Sequence, residues 1–324
     1  MKKFLTQLRN QDAFFAGILT LAFFLILAVF SPYFFLQNNF LSLQAVIAPR
    51  AIIAIGMMLL VIMGMFDLSV GSVMGVAGIL CGYLLSRGVP ISVSVIAAIG
   101  AGMLVGLING LLVAVGNVSP LIATIGTMYI FRGICEMIMT SDLAMSLTGF
   151  PQSFLAFGGN TLYGLYFMTW IMIALLLVVQ FIIKRTYWGR SIYYIGGNPS
   201  SAVSLGFKVK KTTIICFVIS GALAALAGVL SIARFQSASR YLGQDIQMDI
   251  LIACILGGGS LLGGKGDMLC AFVGTAFVSL LQNGFNLFEI NPLLKSVVVG
   301  GILVIVVIMD GYIHLKKMRA LGKV

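Results

Sequence analysis

Charged residues are scarce in this sequence of 324 residues, where Asp, Glu, Lys and Arg together make up only 9%. Soluble domains contain about 25% charged residues, so a chain this poor in charge cannot cover itself with a water-facing surface. Hydrophobic residues make up 60% of the sequence, and uncharged runs such as 13–30 and 162–183 approach or reach the length of a membrane-crossing helix. The chain is therefore predicted to be an integral membrane protein.

Residue types that bind metals or catalyse reactions are also few. The sequence has one histidine, His314, and its five cysteines lie in apolar segments without a CxxC spacing. No metal site, cofactor or catalytic residue is expected from this pattern. Residues 259–266 come close to a phosphate-binding loop, but Gly266 stands where Ser or Thr must bind magnesium, so the chain is not expected to hold an ATPase site.

Acidic residues are outnumbered by basic ones, 9 Asp and Glu against 20 Lys and Arg, for a formal net charge of +11. The basic residues cluster at the ends of apolar runs and in one loop. This distribution is typical of membrane topology signals and of contact with anionic lipid. A lipid bilayer is therefore the expected surrounding, and nucleic acid is not expected as a partner.

The apolar segments predict an all-α, polytopic membrane protein with a single transmembrane domain over residues 1–324, because spanning strands would show alternating apolar and polar residues. The predicted spans are 13–30, 46–65, 70–86, 91–115, 120–140, 162–183, 212–232, 248–262, 268–286 and 293–312. With both termini in the cytoplasm, most Lys and Arg lie on the inner side, as the positive-inside rule requires. Residues 1–12, 184–211 and 313–324 are then cytoplasmic.

Two stretches with glycines and a carboxylate interrupt the apolar pattern, 63–72 and 255–267. Non-helical backbone at membrane depth is tolerated only against protein or a water-filled cavity, so these breaks favour a transport pathway beside them. An ordinary short cytoplasmic turn is the alternative. Asn109-Gly110 and Asn283-Gly284, at the ends of the fourth and ninth predicted spans, further favour an inverted repeat.

Polar side chains inside the spans are candidates for a solute path, because they are costly in lipid. The candidates are Asp67, Ser69, Asn109, Thr124, Thr127, Gln282 and Asn283. Hydrogen bonds between helices would explain the uncharged ones equally well. Arg132 and Glu136 are four residues apart on one helix face and are predicted to form a structural ion pair, with a role in gating as the alternative.

The segment 184–211 is hydrophilic and its charged residues are all basic. Asn198 can cap a short helix that begins at Pro199, and Gly206 can end it. Its apolar face would consist of Ala202, Val203 and Leu205. A short helix of this kind between basic flanks suits a groove on a soluble cytoplasmic partner, whereas a merely solvated loop would not need the pattern.

Four stretches together resemble the ribose/xylose/arabinose/galactose permease family of ABC importers, over about residues 50–310. They are GMFDLSVGSVMGVAG (64–78), GLINGLLVAVGNVSPLIATIGTMYIFRG (106–133), WGRSIYYIGGNPSSAVSLGFKVKK (188–211) and ILGGGSLLGGKGD (255–267). The resemblance implies a ten-span permease subunit of the bacterial inner membrane. It also implies pairing with a second permease subunit, identical or similar, a cytoplasmic ABC ATPase, and a periplasmic binding protein that delivers a sugar-like solute.

The resemblance further implies that the loop at 189–206 contacts the ATPase. The matching residues are Gly189, Arg190, Asn198, Pro199, Ala202, Leu205 and Gly206. The family commonly has Gly-Gly-Ile-Asp-Leu-Ser where this chain has GMFDLS at 64–69, which leaves the exact solute open. An ion-coupled secondary transporter is one alternative function, and an ABC permease for branched-chain amino acids or a furanosyl signalling molecule is another.

Overall fold

The computed structural model describes residues 13–140 and 146–291, together with scattered positions between 294 and 308. Most of this part is helical. The long or apolar helices are α1 (Ala13–Phe30), α2 (Gln37–Ile62), α3 (Val70–Ser86), α4 (Ile91–Ala114), α5 (Pro120–Thr140), α7 (Phe167–Arg185), α10 (Val209–Phe235), α11 (Ile246–Leu256) and α12 (Met268–Leu287). The shorter ones are α6 (Gln152–Gly159), α8 (Tyr187–Gly197) and α9 (Pro199–Ser204).

Short strands form two small antiparallel ladders. Strand β1 (Ser146–Leu147) pairs with β4 (Ala238–Ser239), and β2 (Thr161–Leu162) pairs with β3 (Leu165–Tyr166) in a hairpin. The hairpin turn is tight, and both Tyr163 and Gly164 have positive φ angles.

Within the described residues, α2, α4, α5, α7, α10 and α12 are long and apolar enough to cross a membrane, and α1, α3 and α11 are shorter apolar helices. The prediction of an all-α, polytopic membrane protein is therefore confirmed. The count of ten spans and the side of the termini stay predictions. Residues 1–12 and 313–324 lie outside the described part, as does most of the predicted span 293–312.

The predicted span 248–262 is wrong in its bounds, because α11 ends at Leu256 and residues 257–267 are not helical. Gly258, Gly263, Gly264 and Gly266 have positive φ angles in this stretch, which a helix cannot accommodate. At about 1.5 Å per residue, α11 measures roughly 16 Å, about half of a hydrocarbon core. A full span therefore cannot be made from α11 alone.

Helix α2 runs through the centre of the bundle, where every side chain from Ala51 to Ile62 is buried. A helix that is apolar on all sides belongs in a protein interior. Helix α10 packs closely against α2, α3 and α4. Small residues allow this approach, since a Cβ on Gly221 of α10 would overlap the Gly102 carbonyl of α4 and a Cβ on Gly56 of α2 would lie 2.8 Å from Ser220 Cα.

The connection between α2 and α3 folds back along α2 instead of leaving the bundle. The Met65 N–H donates to the Leu60 carbonyl at 2.9 Å, and the Asp67 N–H donates to Met57 Sδ at 3.5 Å. As a result, α3 starts inside the protein, and Leu68 and Ser69 before it are buried.

The connection between α10 and α11 also enters the bundle, along the glycine face of α3. A Cβ on Gly82 would lie 3.0 Å from Ala238 Cβ, and one on Gly75 would lie 2.9 Å from the Leu242 carbonyl. At the start of α3, Gly71 and Gly243 are in close backbone contact. The N-termini of the half-length helix α11 and of α3 therefore lie side by side inside the protein.

Candidate functional site

Helices α8 and α9, together with Phe207, form a surface that we call the docking segment (187–207). Thr186 caps α8 by accepting a hydrogen bond from the Gly189 N–H at 3.0 Å, and Asn198 Oδ1 caps α9 by accepting one from the Ser201 N–H at 3.0 Å. Pro199 occupies the first turn of α9, where its missing N–H has no cost. The capped short helix that the sequence predicts is present.

Ala202 and Val203 of α9 and Leu205 directly after it do not share one face, so the predicted three-residue face is wrong. Ala202 is only 1% exposed and packs toward the protein, whereas Val203 and Leu205 are 61% and 63% exposed. Helix α9 is six residues long, and consecutive residues of a helix point in different directions. Two apolar side chains, instead of three, are thus presented outward.

Aromatic side chains brace α9 against α8. The Phe207 ring lies between the rings of Tyr187 and Tyr194, with centroid distances of 5.2 and 5.3 Å. Gly189 is buried against the backbone of Ile183. Of the other residues predicted at this surface, Arg190 and Gly206 are exposed, and Gly206 has the positive φ expected at a helix end.

The inner side of the docking segment meets both glycine-containing breaks predicted from the sequence. Gly196 packs on the Ile62 carbonyl at the end of α2 and on the backbone of Gly264, whose N–H donates to that carbonyl at 2.7 Å. A Cβ on Gly263 would lie 2.9 Å from the Gly64 nitrogen. We call Gly64, Gly196, Gly263 and Gly264 the glycine junction, because three separate stretches of backbone touch there.

Two side-chain contacts reinforce the glycine junction. The Tyr193 hydroxyl donates to the Gly266 carbonyl at 2.8 Å, and Lys184 Nζ lies 3.1 Å from Asp267 Oδ2. Burial alone would raise the pKa of Asp267, but the Cys270 N–H and the Lys184 ammonium hold it below its ordinary value. The carboxylate is therefore ionised at neutral pH, and its contribution to stability is lost only as the pH falls through this lowered pKa.

Four of the predicted path residues form one buried hydrogen-bonded cluster. Asp67 Oδ1 accepts from the Ser69 N–H at 2.8 Å and from the Ser69 hydroxyl at 2.6 Å. Asn109 Nδ2 donates to Ser69 Oγ at 2.9 Å, and the Thr127 hydroxyl donates to Asn109 Oδ1 at 2.8 Å. The cluster links the start of α3 to α4 and α5, and a solute-lining role for it stays a prediction.

Two oxygen atoms near the cluster make no hydrogen bond within it. The Thr124 hydroxyl donates to the Pro120 carbonyl of its own helix at 2.7 Å and is not part of the cluster. Asp67 Oδ2, beside Ser220 of α10, has no hydrogen-bond partner among the described residues. Only one oxygen of the buried carboxylate therefore organises the cluster.

We expect Asp67→Ala to lower the free energy of unfolding by about 3 kcal/mol, because the Ser69 N–H and hydroxyl lose their acceptor in a buried site. Asp67→Asn retains the size and the Oδ1 acceptor, so we expect it to stay within about 1 kcal/mol of the parent chain. Thermal unfolding in detergent and abundance in the membrane measure both variants. Equal stability of the alanine and asparagine variants would contradict the role of Asp67 Oδ1 as the acceptor that stabilises the cluster.

The remaining predicted path residues, Gln282 and Asn283, make two separate polar contacts outside that cluster. Gln282 Nε2 donates to Asp249 Oδ2 at 2.6 Å, and Arg50 lies 3.6 Å from the same oxygen. Asn283 Nδ2 donates to Asn39 Oδ1 at 2.7 Å. Sequence reasoning missed Arg50, Asp249 and Asn39. Arg50 and Asp249 could have been found, because each is an ionisable residue inside a predicted span, 46–65 and 248–262 respectively.

The Arg132 guanidinium donates to the Arg240 and Leu242 carbonyls at 3.1 and 3.2 Å. It therefore holds the break between α10 and α11 against α5. The Glu136 side chain, one turn further along α5, is exposed. Their ion pair stays a prediction.

The comparison with known proteins gives the family of this chain. Residues 39–307 match the family model described as branched-chain amino acid transport system / permease component. The chain belongs to this family of permease components. No solved structure matches it.

Relatives of this permease cover nearly its whole length. It is 33% identical to a ribose import permease protein of Haemophilus influenzae, over 95% of each chain. It is 33% identical to a D-allose transport system permease protein of Escherichia coli over 88% of each chain. An autoinducer 2 import system permease protein of Klebsiella pneumoniae is 31% identical, over 94% of this chain and 88% of its own length. The predicted resemblance to ABC importer permeases is confirmed, and the permease is a multi-pass membrane protein.

Proposed function

We propose that this permease forms the translocation path of an importer for a small sugar or sugar-like solute in the bacterial inner membrane. A cytoplasmic ABC ATPase drives it, a periplasmic binding protein delivers the solute, and a second permease subunit completes the path. The family description mentions branched-chain amino acids. However, the relatives above are named for ribose, D-allose and autoinducer 2, which favours a sugar-like solute.

The observation that carries this proposal is the docking segment. Val203 and Leu205 are exposed on a capped helix in a basic loop, where lipid does not cover them if the loop is cytoplasmic. Apolar side chains held outward on a braced helix suit a groove of a soluble partner. The ATPase is the partner that supplies energy to a chain without a recognisable phosphate-binding loop of its own.

The glycine junction gives the docking segment a mechanical connection to the bundle. A movement of α8 displaces Gly196, which touches the end of α2 and the backbone at Gly264. The end of α2 and Gly64 lead into α3, and Gly264 lies in the connection from α11 to α12. The glycine junction is therefore linked directly to three further helices of the bundle. ATPase closure can therefore reposition α3 and α11, whose starts lie side by side, and change access to the path.

Proteoliposomes with the permease, its co-purifying ATPase and the binding protein test this function. We expect radiolabelled D-ribose uptake that requires ATP on the ATPase side and that persists when ionophores remove the proton and sodium gradients. Radiolabelled leucine serves as the comparison solute and should not accumulate. Uptake without ATP that ionophores abolish would contradict the proposal and favour an ion-coupled secondary transporter.

A further inference from the structure

The connection between α10 and α11, residues 236–245, reaches deep into the bundle, and we call it the re-entrant segment. Near its end Gly243 contacts Gly71, which lies about 22 Å along α3 from Ser86 at about 1.5 Å per residue. From there α11 runs roughly 16 Å further toward the glycine junction. In a hydrocarbon core of about 30 Å, Gly243 therefore lies well inside the membrane.

The helices around the re-entrant segment hold it in place. The Arg132 guanidinium of α5 donates to two carbonyls of the segment. Within the segment, the Leu242 N–H donates to the Ser239 carbonyl and the Gln244 N–H donates to the Tyr241 carbonyl, both at 3.0 Å. The backbone thus forms two successive turns that fix the directions of its side chains.

One side of the re-entrant segment and of the first turn of α11 is exposed, and we call it the exposed row. It consists of Tyr241, Gln244, Asp245 and Met248, which follow one another at the spacing of one helix face. Tyr241 and Met248 are 52% and 44% exposed, whereas Ile246 between them is buried. Met248 is the apolar member, and the other three side chains carry polar groups.

The Asp245 carboxylate is the most informative group of the exposed row. It directly precedes α11 but makes no cap hydrogen bond to this helix, and it has no ion pair or hydrogen-bond partner among the described residues. The Gln244 amide beside it is also exposed. A carboxylate and non-helical backbone at this depth are strongly disfavoured against hydrocarbon, so the exposed row faces water.

The chemistry of the exposed row matches that of a sugar. Arg240 Nη2 donates to the Tyr241 hydroxyl at 2.6 Å, and the guanidinium lies 4.8 Å from the ring centroid, so the half-exposed ring is held in place. Gln244 offers a donor and an acceptor, and Asp245 offers two acceptor oxygens. A sugar presents hydroxyl groups around apolar C–H faces, which an aromatic ring and a few placed polar groups can bind together.

We propose that Tyr241, Gln244 and Asp245 form a contact site for a neutral, polyhydroxylated solute inside the membrane. The inference rests on the proposed function and names residues of this chain that touch the solute. Asp249, one turn beyond Asp245, ties α11 to Arg50 and Gln282. The site therefore moves with the start of α11, which the docking segment reaches through the glycine junction.

Cysteine accessibility tests whether the exposed row is hydrated, in a variant that lacks the five native cysteines. Gln244→Cys lies in the row, and Leu177→Cys is the control near the middle of the apolar helix α7, where the parent residue is 59% exposed. We expect a charged, water-soluble methanethiosulfonate to modify the cysteine at 244 at least about tenfold faster, since a thiol in apolar surroundings ionises poorly. Equal rates at the two positions would overturn the proposal.

Uptake of radiolabelled D-ribose by the reconstituted complex tests the contact itself. We expect Tyr241→Ala and Asp245→Asn each to lower uptake about tenfold, the loss expected when an aromatic contact or a hydrogen bond to a charged group is removed. Tyr241→Phe keeps the ring and should import like the parent. Glu289→Gln is the matched control, because Glu289 is also acidic and exposed and has a positive φ angle, but it lies beyond the end of α12.

ATP hydrolysis stimulated by the ribose-loaded binding protein separates solute contact from assembly, and we expect Asp245→Asn to retain it. A parallel fall in hydrolysis and uptake would overturn the proposal, and so would normal uptake by both Tyr241→Ala and Asp245→Asn. Equal losses in Tyr241→Phe and Tyr241→Ala would assign the effect to the contact with Arg240 and count against a solute-binding ring. These results leave the proposed importer function standing, whereas failure of the parent complex to import would count against that function itself.

Discussion

We expect the Leu205→Asp variant to reach the membrane in normal amounts but to lose its ATPase on purification and to import no solute. Leu205 is 63% exposed, so its replacement leaves the bundle intact. Burial of an unpaired carboxylate in an apolar groove costs several kcal/mol. A loss of about 4 kcal/mol weakens an interface roughly a thousandfold.

The matched control for this prediction is Ser200→Asp. It adds the same charge to the same short helix, but at an exposed polar position in the first turn, where a negative charge is compatible with the helix dipole. Co-purification of the ATPase and ribose uptake per permease molecule are the measurements. If Leu205→Asp retained its ATPase and imported normally while Ser200→Asp behaved like the parent, α9 would not be the docking element.

We expect Gly196→Ala to impair import strongly as well, but through a steric clash inside the protein instead of a lost contact with the ATPase. The new methyl group would overlap the Ile62 carbonyl, which already accepts the hydrogen bond from Gly264. Because the three nearest atoms are all backbone atoms, no side-chain rotation can relieve the contact, and α8 must move away from the end of α2. We expect a loss of about 3 kcal/mol in the free energy of unfolding and at least a tenfold fall in import.

The neighbouring glycine provides the control, because a Cβ on Gly197 would meet no atom within 4 Å. Gly197→Ala should import like the parent and lose no stability, since alanine favours the helix more than glycine does. Membrane abundance and uptake per copy separate a folding defect from a coupling defect. Full import by Gly196→Ala at normal abundance would show that the glycine junction does not transmit movement.

Local features of the sequence predicted local features of the structure well. Asn198-Pro199 specified a capped helix because a cap needs only the residues next to it. Glycines specified the break at 257–267 because they alone adopt its positive φ angles without strain. The connection at 236–245 lies between the predicted spans 212–232 and 248–262, but the sequence did not indicate that it enters the bundle, where Gln236, Gly243 and Asp245 adopt positive φ angles.

The glycines of α3 predicted a close backbone contact but not the segment that makes it. Gly71, Gly75, Gly78 and Gly82 recur at helical spacing and indicate that something approaches this face closely. The sequence did not indicate that the partner is an irregular segment of the chain more than 150 residues further along, with Leu242 and Gly243 at its tip.

By itself the sequence determined the membrane environment, the helical class and the family, because each of these depends on composition, run length or motif order. Only the tertiary structure decided which polar residues meet. Asp67, Asn109 and Thr127 come together from separate parts of the chain, whereas Gln282 and Asn283 contact different partners, Asp249 and Asn39. The physical reason is that all faces of these helices are apolar enough for lipid, so hydrophobicity does not select the contacting faces, and close packing of small residues and interhelical hydrogen bonds select them instead.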